Sequence, residues 1–98
     1  MAYYDLDKIG KQAFKDRKDI FLQTFGEEQM KVHYFSGEAD WHIEERDEFF
    51  LVLDGDVDFS VEEANYRLKK GDLLVIEAGK RHRAHSPGVV MLSVEPHD

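Results

Sequence analysis

Glu48 stands directly before five consecutive apolar residues, Phe49 to Leu53. A run of that length, built from residues that suit strands, predicts a strand covered on both faces. Alternation then sends Glu48, Phe50 and Val52 to one side and Phe49, Leu51 and Leu53 to the other. A carboxylate at the head of a buried face is costly unless a cation or hydrogen-bond donors meet it. That one position ties whatever the chain folds into to a polar site in its interior.

The neighbouring segments carry strand signals of the same kind. Ile20 to Phe25 and Gln29 to Phe35 are two β-rich runs on either side of Gly26-Glu27-Glu28, which predicts a hairpin. Asp54-Gly55-Asp56 reads as a tight turn after the apolar strand, and Val57, Phe59 and Val61 then alternate with polar residues. Further short strands are expected over Tyr66 to Leu68, Leu73 to Ile76, Arg81 to His85 and Val89 to Val94, with breaks at Ser86-Pro87-Gly88 and Pro96. Before them, Asp5 or Asp7 caps a short helix running to about Phe14. Seven to nine short strands at hairpin spacing, with no long periodic helix, predict an all-β chain: a single antiparallel β-barrel or jelly roll behind an irregular or short-helical N-terminal segment.

Ninety-eight residues make one domain over 1–98, and 42% apolar residues suffice for its core despite 35% charge. Cysteine is absent, which removes disulfides, thiolate metal sites and a cysteine nucleophile. A formal charge of -8 argues against general nucleic-acid binding. No run approaches the roughly 18 apolar residues of a membrane span, and the N-terminal stretch lacks an apolar secretory core, so the expectation is a cytoplasmic protein away from membranes. Neither a phosphate-binding glycine loop nor a serine nucleophile elbow is present.

What remains is a nitrogen and oxygen constellation. His42 and Glu44 are two apart and share one side of an extended segment, Glu48 follows, and His82 returns after the Ala78-Gly79-Lys80 turn. Glu38, Asp40, Glu44, Glu45, Asp47 and Glu48 crowd around His42, whereas Lys80, Arg81 and Arg83 surround His82. Facing one another, these loops would make a charged rim.

These residues resemble the two motifs of the cupin superfamily. His42, Ile43, Glu44, three residues, Glu48, six residues and Gly55 follow the first motif, over about 37–55. Gly71, five residues, Glu77, Ala78, Gly79, two residues and His82 follow the second, over about 71–86. Four positions depart from the pattern. Glu44 replaces the second histidine of the first motif, Glu77 replaces a proline, Ser86 replaces the closing asparagine, and Gly37 is one residue close to His42.

The resemblance implies a mononuclear divalent metal (Mn, Fe, Ni or Zn) held by His42, Glu44, Glu48 and His82. With both carboxylates bound, the site is nearly neutral and suits Mn(II) or Fe(II); with Glu44 standing off the ion, it becomes two histidines and one carboxylate, with Glu44 as a base. His33, Phe35, Phe50 and Trp41 are expected to line the pocket and Arg81 and Arg83 its rim, while His85 and His97 are surface residues. Two functions follow as expectations: a metal-dependent isomerase or oxygenase acting on a small polar metabolite, or a non-catalytic cupin that binds a sugar or metabolite at a degenerate metal site. A homodimer is expected through Phe49, Leu51 and Leu53, unless the N-terminal segment covers that face.

Overall fold

The chain is seen in a computed structural model, in which residues 1–96 are described. One helix, α1 (Leu6–Asp16), precedes six strands: β1 (Ile20–Phe25), β2 (Glu28–Glu38), β3 (Glu48–Val61), β4 (Ala64–Lys69), β5 (Leu73–Ile76) and β6 (His82–Pro96). The strands pair antiparallel in the order β1-β2-β6-β3-β4, with β5 beside the first half of β3. This is a jelly-roll arrangement, its hydrogen-bonded order open at β1 and β4. Among the described residues, no helix is long and apolar enough to cross a membrane.

The helix forms where a cap permits it. Asp5 is extended and its side chain accepts the Lys8 amide at 3.2 Å, while Asp7 in the first turn and Lys15 in the last suit the helix dipole. Arg17 ends it in the left-handed region at φ 53°, with its guanidinium over the Phe14 and Tyr34 rings. Leu6, Ile9 and Ala13 pack on Val32, Val90 and Leu92, and the same cluster takes in Leu51 and Leu53. The second cover demanded by the apolar strand is therefore α1. It partly covers Leu51 and Leu53, two of the three residues on which the expected dimer rested, while Leu73 and Val75 of β5 remain exposed.

The other face carries the main core: Phe50, Val52, Val57, Phe59, Leu68, Ile76, Val89 and Met91. Phe50 and Phe59 meet with ring centroids 4.8 Å apart. Both faces of β3 thus behave as its alternation requires.

Two expected breaks are absent. Asp54-Gly55-Asp56 does not turn the chain; β3 runs on to Val61, and the hairpin to β4 is made at Glu62-Glu63. Ser86-Pro87-Gly88 likewise lies within β6, which ends at Pro96. The reason is a pair of opposed irregularities. The β3 to β6 register shifts between Val52 and Asp54 and again between Asp56 and Asp58. Gly55 there adopts φ 84°, where any Cβ would run into the Gly88 carbonyl. Buried Ser86 stitches the bulge, its hydroxyl donating to the Asp56 carbonyl at 2.5 Å and accepting the Gly88 amide at 3.0 Å. Turn-forming residues have been used to bend two long strands rather than to end them, so six strands do the work expected of seven to nine.

Candidate metal centre

Residues 39–47 cross from β2 to β3 and are held mainly by backbone. The Ala39 amide donates to the Ala84 carbonyl at 2.9 Å, and His42 and His82 exchange amide-to-carbonyl bonds of 3.0 and 2.9 Å. The Gly79 amide donates to the Glu44 carbonyl, and the Ala78 amide donates to Asp47 Oδ1 at 2.8 Å. An Arg46–Glu27 ion pair ties the segment to the β1–β2 hairpin. The two motif regions are thereby stitched face to face.

At the seam, one ligand atom each from His42, Glu48 and His82 lies within 4.8 Å of the others. His42 is exposed, whereas Glu48 and His82 are 3% and 1% exposed. The His42 and His82 rings stand 4.2 Å apart at 60°. His82 Nδ1 is 2.8 Å from the Lys80 carbonyl and His42 Nδ1 is 3.2 Å from the Asp40 carbonyl. A carbonyl only accepts, so each Nδ1 carries the proton and each neutral ring is left with its Nε2 lone pair. His82 Nε2 then faces Glu48 Oε1 at 2.9 Å, with neither atom aligned for a hydrogen bond to any described group. These two buried atoms call for a positive charge, either a proton on His82 Nε2 that donates to Glu48 or a metal ion beside both.

The electrostatics agree. Burial by itself would lower the His82 pKa, but the Glu48 carboxylate, the Lys80 carbonyl and the Glu44 carboxylate outweigh it and raise the imidazole above its ordinary value. The position attracts positive charge, whether a proton or a metal ion. Two imidazole nitrogens and one carboxylate oxygen fit a divalent first-row ion, leaving it a net charge of about +1 and open positions.

The remaining expected residues divide between the two faces. Glu44 lies outside the converging trio, half-buried, and acts on His82 through its charge. Phe35 and Phe50 belong to the inner core, and the register puts His33 on the same face, opposite Met91. Trp41, Arg81 and Arg83 do not line the interior. Arg81 and Arg83 flank the inward His82 and so turn outward by alternation, where their guanidinium carbons sit 4.1 and 4.9 Å from the Trp41 ring. Arg83 also donates to Glu38 at 2.8 Å, joining the basic and acidic loops on the outer surface. His85 is exposed, and His97 lies outside the described residues. Sequence reasoning missed Ser93, which is fully buried on the inner face, and the Asp40 and Lys80 carbonyls, which no side-chain pattern could announce.

A cupin domain family model matches residues 26–95, and the chain belongs to that family. It is similar in structure to a cupin-2 domain containing protein from Shewanella frigidimarina, with a TM-score of 0.74 and 24% identity over 82% of this chain and 80% of that one. A cupin superfamily protein from Desulfitobacterium hafniense gives a TM-score of 0.72 and 19% identity over 82% and 76%. Hydroquinone 1,2-dioxygenase from a Sphingomonas species, with 4-hydroxybenzoate bound, gives a TM-score of 0.67 and 16% identity over 76% of this chain and 62% of that one. No curated protein matches.

Proposed function

We propose that this chain is a small metal-dependent cupin that holds one divalent ion through His42, Glu48 and His82 and acts on a small polar metabolite. The observation that carries the reading is the convergence of one ligand atom each from His42, Glu48 and His82 within 4.8 Å, with Glu48 Oε1 and His82 Nε2 buried 2.9 Å apart. A bound ion would supply Lewis acidity toward a carbonyl or enolate oxygen, which serves isomerisation or oxygen chemistry alike. The chain's own residues do the rest. The Asp40 and Lys80 carbonyls fix the histidine tautomers, and Glu44, two residues from His42 on the extended segment, would take or return a proton beside the centre. The fold is shared with a hydroquinone dioxygenase, so oxygen chemistry lies within the range of the architecture.

The test is elemental analysis of protein purified without a histidine tag. About one equivalent of a first-row metal per chain is expected, lost in His82→Ala; an occupancy unchanged by that substitution would overturn the reading. Thermal stabilisation by a metabolite that survives a chelator would favour a non-catalytic binding role instead.

A further inference from the structure

The outer face of the sheet holds a hollow of about 220 Å³ between α1 and the strands β3 and β6, on the side away from the metal trio. Leu6, Gly10 and Phe14 follow one another at single-turn spacing and share one stripe of α1. The middle member has no side chain, so the stripe is notched, and Leu53 and Val90 form the floor beneath the notch. Neither backbone nor packing calls for a glycine there. Gly10 has no positive φ, and an added Cβ would meet Val90 Cγ1 at 3.5 Å and Leu53 Cδ1 at 3.7 Å, both ordinary contacts. Glycine inside a helix is less stable than alanine. What this one leaves behind is open space.

The strands turn two charged groups toward that space. Neighbours in a regular strand face opposite ways, yet the adjacent Leu53 and Asp54 both line the hollow. The register gives the reason: Val52 pairs with Met91 and Asp54 with Val90, so Leu53 is the extra residue of a bulge, which re-aims Asp54 to the outer face. Lys70 reaches the same rim from the turn between β4 and β5. That turn is fixed to β3, since the Gly71 amide donates to the Val52 carbonyl at 2.9 Å and the Val52 amide donates to the Asp72 carbonyl at 3.0 Å. Of the four charges around the mouth, Asp7 and Lys11 pair with each other at 3.1 Å. Among the described residues, the Asp54 and Lys70 side chains pair with nothing, nor with one another. The hollow therefore presents an apolar floor with one free carboxylate and one free ammonium at its edge.

We propose that this hollow binds a free α-amino acid with an apolar side chain of about the size of leucine, its side chain in the notch over Leu53 and Val90, its carboxylate at Lys70 and its ammonium at Asp54. An apolar cavity of about 150 Å³ accommodates benzene, so the space takes a branched side chain and leaves the head group at the rim. A hydrophobic acid would bring a second negative charge beside Asp54, and a hydrophobic amine a second positive charge beside Lys70; a zwitterion complements both. The site shares no residue with His42, Glu48 and His82 and stands apart from the metal reading.

The test is isothermal titration of the whole chain with L-leucine, with and without a chelator, so that leucine held by a metal ion is told apart. Leucine is expected to bind in both conditions, at least about tenfold more tightly than L-alanine, which lacks most of the side chain. It should bind about fivefold more tightly than 4-methylpentanoate or 3-methylbutylamine, each of which lacks one solvent-facing charge contact. Lys70→Gln should weaken leucine by that factor and leave 3-methylbutylamine unchanged, whereas Asp54→Asn should weaken leucine and leave 4-methylpentanoate unchanged. Both positions are exposed, so these variants keep the fold. Gly10→Leu, which fills the notch, should abolish binding. The assignment is overturned if leucine does not bind at millimolar concentration, if binding is lost with the chelator, if alanine or 4-methylpentanoate matches leucine, or if both rim variants bind it as the wild type does.

Discussion

Glu48 Oε1 and His82 Nε2 lie 2.9 Å apart, although His82 pairs with Val61, at the opposite end of the strand that Glu48 begins. Thirteen residues of straight strand would separate those ends by roughly 40 Å. Bends at the β3 and β6 bulges, together with the inward curl of the sheet, bring the two ends to one point. The centre is therefore a product of strand curvature as much as of motif residues.

Glu48→Gln separates metal binding from folding. The amide supplies a donor to His82 Nε2 in place of an acceptor, which satisfies the buried pair without a cation. Metal affinity should fall by more than about 100-fold, beyond what changes around a ligand cause because Glu48 is itself a ligand, while the urea midpoint of the metal-free protein stays the same or rises. Competition with a chromogenic chelator and urea melts read the two effects independently.

Acid should weaken the fold through His33. Its imidazole, pushed from 6.5 to about 4 in the folded chain, remains neutral while the unfolded chain takes up a proton, so stability is full above about pH 7 and falls as pH drops below 6.5. Between pH 7 and pH 5 the loss from this group is about 2 kcal/mol. Urea melts of wild type and His33→Phe over that range should diverge by this amount, and parallel profiles would refute the assignment.

The glycines at φ 84° are not equivalent. An added Cβ at Gly55 would collide with the Gly88 carbonyl oxygen and lie 3.1 Å from Val89 Cα, both backbone atoms that cannot yield. At Gly79 nothing lies within 4 Å. Gly55→Ala should cost more than about 2 kcal/mol, and Gly79→Ala only about 1 kcal/mol from backbone conformation. Thermal melts of the two variants give the comparison directly.

Gly10 presents the reverse case. It is buried in the interior of α1, where a Cβ would meet Val90 Cγ1 at 3.5 Å and Leu53 Cδ1 at 3.7 Å, both ordinary contacts, and it borders a cavity of about 220 Å³ under the helix. Gly10→Ala should stabilise the domain by about 1 kcal/mol through helix propensity. A lower melting temperature would show that the cavity does not tolerate filling.

Much of this was legible because alternation is a local property. Glu48, Phe50 and Val52 point inward and Leu51 and Leu53 outward as the two-residue period demands, and the spacing to His82 identified the second motif. The strand limits were misread because Asp-Gly and Pro-Gly carry the same composition in a turn and in a bulge; only the partner strand decides which forms. Trp41, expected in the pocket wall, stacks outward with the rim residues Arg81 and Arg83 for a related reason. Their nearness to the histidines in sequence is what turns them away, since neighbours in an extended chain point in opposite directions. Ser93 was invisible because a serine in a strand announces nothing until its surroundings close over it.

That outward stack also gives the protein a built-in optical gauge. Trp41 is the sole tryptophan, next in sequence to the one exposed member of the trio and close to the guanidinium groups of Arg81 and Arg83, which flank another member. Any shift of His42 toward an incoming ion pulls on the indole's neighbour, so its emission should change on metal titration and stay constant in His42→Ala. The fluorophore reports on the metal centre from the outer surface of the sheet, on the face opposite the ligand side chains.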